Sequence, residues 1–375
     1  MSAEPLSFKN ILSGETAFYH QPNYVEDTRR DLNQEIPLPV SYTWNEESQL
    51  PILAKQIVSI FLFPIIGIYQ LIHSLAAKLL ILPSSTPILC GLARTYAHDL
   101  RSRLVSDGDR LVLDPWKYKR ITVEVDGYKI DGMIIGTAST LNNGRWLLAS
   151  AGNGMFYEQE MFYDRNVKKI LTNVHSNALL FNYPGVGASS GLPNRQAMAK
   201  AYRAMLNFLE DQEKGIGAQE IIGYGYSIGG GVQGDALKTH PLKKDIKYLF
   251  IKDRTFSSIS AYASNIIKPL GILPKILDWN IDSVESSKNL QASEIILQRG
   301  RVRTCTEIFD ASTIEDDGEI KATASLAKAL LEDKNYANKN KAFIAIPESH
   351  CDLLADRSLL SGKIEEFLQL PAPLS

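Results

Sequence analysis

The stretch GYGYSIGGG, residues 223–231, decides how this chain is read. It contains Gly225-Tyr226-Ser227-Ile228-Gly229, follows the apolar pair Ile221-Ile222 and precedes a helix-forming run, VQGDALKTH. A G-x-S-x-G pentapeptide between a strand and a helix is a nucleophile elbow. The turn is so sharp that its serine sits at a strained backbone position, and small neighbours keep the strand from colliding with the helix start. The context therefore predicts Ser227 projecting above the sheet edge, with the Ile228 amide at the helix N-terminus. Gly230 and Gly231 predict close packing of that helix. The pentapeptide alone is a weak signal, because many glycine-rich turns are only turns. Its place between strand and helix is what gives it weight.

Working outward, short apolar runs alternate with helix-length stretches from Trp116 onward. Ile121, Val123 and Val125 alternate with polar residues, and Asp126-Gly127 predicts a hairpin into YKIDGMII. WLLA, ALLF, YLFI, TEIF and AFIAI read as further strands, and NRQAMAKAYRAMLNFLEDQ carries apolar residues at helical spacing. Such alternation predicts an α/β fold with a mostly parallel central sheet covered by helices on both faces. Residues 1–50 read as an irregular N-terminal arm, 51–115 as an apolar helical extension, and 116–375 as the main domain. Residues 255–300 read as a helical cap insertion rich in Ile and Leu.

A serine hydroxyl needs a base to take its proton and a third group to orient that base. Of the six histidines, His350 has the right setting, in AIPESHCDLL just past the strand AFIAI. For the acid, Asp310, Glu315, Asp316 and Asp317 all follow TEIF. Asp317 stands first because it precedes a turn glycine with an aliphatic anchor three residues on, and Asp316 and Asp310 are the alternatives. Acyl transfer also needs donors aimed at an oxyanion. The loop AGNGMFYEQ after WLLAS offers the Asn153 amide, to be paired with that of Ile228.

Composition excludes other classes. Forty basic and 42 acidic side chains give a net charge of −2, so no basic excess points to nucleic acid. An apolar content of 45% is that of a globular chain, not a disordered one. Three scattered cysteines make neither a disulfide framework nor a cysteine-rich metal site. The start MSAEPLSFKN has no apolar core, so a cleaved signal peptide is not expected, and synthesis in a reducing cytoplasm is. Residues 56–77, QIVSIFLFPIIGIYQLIHSLAA, carry no Lys, Arg, Asp or Glu. A straight helix of that length would span a bilayer core of about 30 Å. Pro64 and Gly67 interrupt it, however, and two readings stand: a kinked helix pair buried on the main domain, or an interfacial membrane element.

Taken in order, the elbow, the acid loop, His350 and the loop FNYPGVGASSG (181–191) resemble the α/β-hydrolase superfamily, whose chain order is Ser, acid, His. AGNGM is similar to the Gly-Asn oxyanion loops of some members, with Ala151 where they usually carry histidine. The resemblance covers about 116–370. It implies a serine hydrolase of esterase or lipase type, acting on acyl esters or lipids through Ser227, His350 and Asp317, with no cofactor and no metal. A peptidase or amidase on the same residues is the alternative, as is a non-catalytic, membrane-associated binding protein. PIIGIYQLIHSLAAKLLILPSS and KDRTFSSIS further resemble hydrolase-like proteins of intracellular bacteria, including SidB-type secreted effectors of Legionella and related chlamydial proteins. That resemblance implies delivery into a host cell. Asp253-Arg254 reads as a buried pair anchoring the edge of a lid.

Overall fold

A computed structural model describes residues 37–44, 67–69, 71–72, 75 and 117–369, apart from 138, 141, 163–164, 309 and 334–339. Most of the expected arm and helical extension, including most of 56–77, lies outside the described residues.

Among the described residues, ten strands form one sheet: β1 (Pro37–Tyr42), β2 (Lys117–Val125), β3 (Tyr128–Gly136), β4 (Arg145–Ser150), β5 (Asn177–Phe181), β6 (Glu220–Tyr226), β7 (Lys247–Asp253), β8 (Ser293–Arg299), β9 (Thr306–Glu307) and β10 (Lys341–Ile346). Their order is β1-β2-β3-β5-β4-β6-β7-β8-β10-β9. β3 runs antiparallel to both β2 and β5, β9 is antiparallel to β10, and the remaining pairs are parallel. The β2–β3 hairpin turns at Asp126 (φ 48°) and Gly127 (φ 77°), the left-handed pair that a two-residue turn requires.

The order of strands places the site. The chain lays β4 in the centre, steps outward to β5, then returns to lay β6 on the other side of β4. The loops leaving the carboxyl ends of β4 and β6 diverge there and leave a crevice, the usual ligand position in an open α/β sheet. The 151–155 loop and Ser227 follow those two strand ends.

Successive residues of each strand feed opposite faces. Leu148 and Ile221 join one buried cluster with Met198, Met205 and Val232, while Leu147 and Ile222 join another with Ile170, Leu171 and Ile364. The first face is covered by α3 (Arg195–Glu210) and α4 (Ile228–Leu237). The second is covered by α2 (Arg165–Asn173), which follows the short α1 (Tyr157–Phe162), and by the C-terminal helix Ser358–Gln369. This is the α/β-hydrolase fold, a mostly parallel sheet between two helical layers.

Three expectations need correction. Residues 37–42 are not irregular: they form a strand parallel to β2. Pro37 and Pro39, two apart, lack N–H groups on the same side of the strand, which an edge position tolerates. The cap is shorter than 255–300. Helices α5 (Ile259–Ile266), α6 (Leu273–Ile276) and α7 (Ser283–Asn289), with a 3₁₀ turn at Lys268–Ile272, end by Asn289, and Ser293–Arg299 is a central strand. Among its described residues TEIF contributes Thr306–Glu307, at the far edge. The described residues between 67 and 75 are helical, and among the described residues no helix is long and apolar enough to cross a membrane.

Candidate active site

β6 delivers Ser227 at φ 53° and ψ −120°, a conformation that costs a non-glycine residue about 1–3 kcal/mol. Its surroundings hold it there. The Ser227 N–H donates to the Asp253 carbonyl at 2.8 Å. The Ser227 carbonyl accepts from the Gly230 N–H and the Thr255 hydroxyl, each at 3.1 Å. Two glycines make the close approach feasible: a Cβ on Gly225 would lie 2.6 Å from the Gly230 Cα, and one on Gly229 would lie 2.2 Å from the Ser150 carbonyl oxygen.

His350 sits on the loop after β10. Its Nε2 is 3.1 Å from Ser227 Oγ, and its Nδ1 is 2.9 Å from Asp317 Oδ2. The Asp317 side chain is fully buried. Its Oδ1 accepts the N–H groups of Ile320 (2.7 Å) and Glu319 (3.0 Å), and its Oδ2 also accepts Gln298 Nε2 at 3.2 Å. Burial pushes the Asp317 carboxyl up, but the His350 hydrogen bond and charge, with the two amides, together hold it below the usual carboxylate range. A group depressed in the folded state stabilises above its unfolded pKa, near 4, and loses that contribution as pH falls through its lower folded value. Thermal melting across an acid series is therefore expected to show a stability loss below about pH 4 that Asp317→Asn lacks.

The other sequence candidates separate. Asp316 is exposed and accepts the Ala322 amide at 2.7 Å. Asp310 is also exposed and caps a 3₁₀ turn through Ser312, whose hydroxyl and amide hold its carboxyl low. Neither joins the Ser227–His350 pair. Asn153 and Ile228 both line the cleft above Ser227. The Asn153 loop is locked to the elbow, because the Ser150 hydroxyl donates to the Gly229 carbonyl at 3.0 Å. A Cβ on Gly152 would lie 2.6 Å from the Tyr226 ring, so glycine is what lets that loop press against it.

Three supporting residues escaped the sequence reading. Gln298 lies on β8, inside the 255–300 stretch whose sequence reads as cap. Tyr226, inside the elbow itself, donates its hydroxyl to the His350 carbonyl. Arg254 was expected at the edge of a lid with Asp253. It does pair with Asp253, at 2.7 Å, but its Nη1 reaches the carbonyls of Ser349 (2.5 Å) and Asp352 (2.8 Å), on either side of His350. Burial opposes the Arg254 charge, yet Asp253 outweighs it and raises the pKa. Replacing Arg254 with Ala leaves the buried Asp253 carboxylate with the Tyr224 hydroxyl but no cation, so a loss of about 3–5 kcal/mol is expected, measured as a lower urea midpoint.

The cleft holds about 420 Å³, within the range of small-molecule sites. Met155, Phe256, Ile259, Tyr262, Ile320 and Leu353 give it an apolar wall. Among the described residues, no group of His, Cys, Asp and Glu is arranged to hold a metal ion.

Residues 50–367 match the family described as Chlamydia CHLPS protein (DUF818). The chain belongs to this family. The chlamydial relationship expected from the apolar stretch is thereby shown at the level of family. No curated protein matches. Similar solved structures include the Pyrococcus furiosus esterase Pf2001, at 16% identity and TM-score 0.49, covering 69% of this chain and 92% of that one. An alpha-beta hydrolase from Vibrio vulnificus matches at 17% identity and TM-score 0.47, covering 75% and 92%. Est1E from Butyrivibrio proteoclasticus, with ferulic acid bound, matches at 14% and 0.46, covering 66% and 97%.

Proposed function

We propose that this CHLPS-family chain is a serine hydrolase cleaving carboxylic esters of acyl or lipid type. The observation that carries the reading is the continuous relay Ser227 Oγ–His350–Asp317, built on a serine held at positive φ. With the Nδ1 proton directed at Asp317, His350 presents Nε2 as the acceptor for the Ser227 proton. Ser227 Oγ then attacks the ester carbonyl carbon, and the carbonyl oxygen takes up the negative charge beside the Asn153 and Ile228 amides. As the tetrahedral adduct collapses, His350 gives its proton to the departing alcohol. Water, deprotonated by the same imidazole, then attacks the acyl carbon; the bond to Ser227 Oγ breaks, Oγ takes the proton back from His350, and the acid leaves. Asp317 stays ionised throughout and holds the imidazolium in place. The apolar wall supports an acyl chain as the group beside the scissile bond.

Labelling with a fluorophosphonate probe tests this reading, since it forms a covalent adduct only with an activated serine. The expected result is one adduct, mapped by mass spectrometry to Ser227 and missing from Ser227→Ala. A folded wild-type chain that takes no label would favour the binding-protein reading. An ester series of rising chain length, run beside matched amides, separates esterase from amidase. Delivery into a host cell rests on the resemblance to Legionella effectors, and a translocation-reporter fusion tests it.

A further inference from the structure

One surface outside the cleft is unusual in composition. Over 266–276 the cap turns five aliphatic side chains to solvent: Ile266 (62% exposed), Ile267 (54%), Ile272 (60%), Leu273 (41%) and Ile276 (54%). A second exposed set, Ile68, Leu71, Ile72 and Leu75, falls at the i, i+3, i+4, i+7 spacing of a single helix stripe. The two segments touch, the Tyr69 hydroxyl donating to the Ile276 carbonyl at 2.9 Å. Nine exposed aliphatic side chains on two touching segments mark a contact with something else.

Charge chooses the occupant. From Thr255 to Leu277 the only charged side chains are Lys268 and Lys275; both are exposed, and no acid occurs before Asp278. Lysine stems lie along apolar surface while the ammonium reaches outward, which suits a headgroup layer above acyl chains. A second copy of the chain fits less well, since a two-fold contact would bring the same lysines towards each other. Protein interfaces are also poor in Lys, and the two charges on this cap face are both Lys.

We propose that this two-segment surface docks on a bilayer bearing anionic headgroups. Docking does not depend on the hydrolase reading, but it bears on it. Helix α5 lines the cleft with Ile259 and Tyr262 at one end and carries Ile266 at the other. At 1.5 Å per residue, Tyr262 and Ile266 are about 6 Å apart along its axis. A chain bound this way holds its cleft beside the lipid.

The test is co-sedimentation of the full chain with phosphatidylcholine vesicles, with and without phosphatidylglycerol. Tighter binding to the anionic vesicles is expected, weakening as salt rises. Lys268→Gln with Lys275→Gln is expected to lower anionic binding about 30-fold, each lysine being worth roughly fivefold at such a surface. The triple change Ile266→Ser, Ile272→Ser and Ile276→Ser is expected to lower it at least about 100-fold, with an unchanged melting temperature because all three side chains are exposed. If the triple variant melts early, Ile272→Ser alone and the salt series on the wild type decide. Wild type that does not bind anionic vesicles overturns the proposal, as do cap variants that bind like wild type. So does light scattering that shows a wild-type dimer and a monomeric triple variant without vesicle binding, which would make the face a contact between copies.

Discussion

Ester turnover by Ser227→Ala is expected to fall by about four to six orders of magnitude, with little change in stability. Alanine accepts the same φ of 53° at the same cost as serine. The bonds to Asp253, Gly230 and Thr255 all use the Ser227 main chain and none uses the hydroxyl. What disappears is the atom that bonds to the acyl carbon, so His350 is left with no proton to accept. A residual rate above that in water should survive from oxyanion stabilisation and binding alone. Steady-state kinetics on a short soluble ester, with a thermal melt of each protein, makes the measurement. Turnover within tenfold of wild type would dismiss Ser227 as the nucleophile.

Asp317→Asn is expected to lower kcat about 10⁴-fold while leaving the fold intact at neutral pH. The reason lies in which atoms face the side chain. The amides of Glu319 and Ile320 both donate to Oδ1, so the asparagine carbonyl must take that position. Its NH₂ group then lies opposite His350 Nδ1, where a donor meets a donor unless the imidazole shifts its proton to Nε2. In that tautomer Nε2 no longer accepts from Ser227. Asp310→Asn and Asp316→Asn should leave turnover unchanged, because those carboxylates serve a local turn and the Ala322 amide. A large loss in either, with Asp317→Asn near wild type, would reassign the acid.

How much could be read from the sequence depended on whether burial showed in local composition. The elbow was legible because its glycines are required by contacts under 3 Å, and Asp126-Gly127 because the turn needs two left-handed residues. His350 and Asp317 were reachable from strand ends and turn chemistry. β8 was not, because its sequence SEIILQR interrupts the apolar run with Glu294 and Gln298. Both are buried for reasons distant in sequence: Glu294 pairs with Lys252 (2.9 Å) and Lys341 (3.0 Å), and Gln298 donates to Asp317. Arg254 was recognised as half of a buried pair, but its grip on the loop around His350 spans 95 residues or more and leaves no local trace. β1 was hidden by its own prolines.

Those prolines matter before folding is complete. The residues that β1 pairs with, Thr122 to Val125, come about 85 positions after it. At about 5–20 residues per second, β1 is synthesised roughly 4–17 s before its partner. An apolar extended segment waiting that long is open to pairing with strands of neighbouring nascent chains. Pro37 and Pro39 remove two donors from one side of it, so a foreign strand has fewer bonds to make there. The edge of the finished sheet tolerates both prolines, and on the ribosome they act as a guard against the wrong partner.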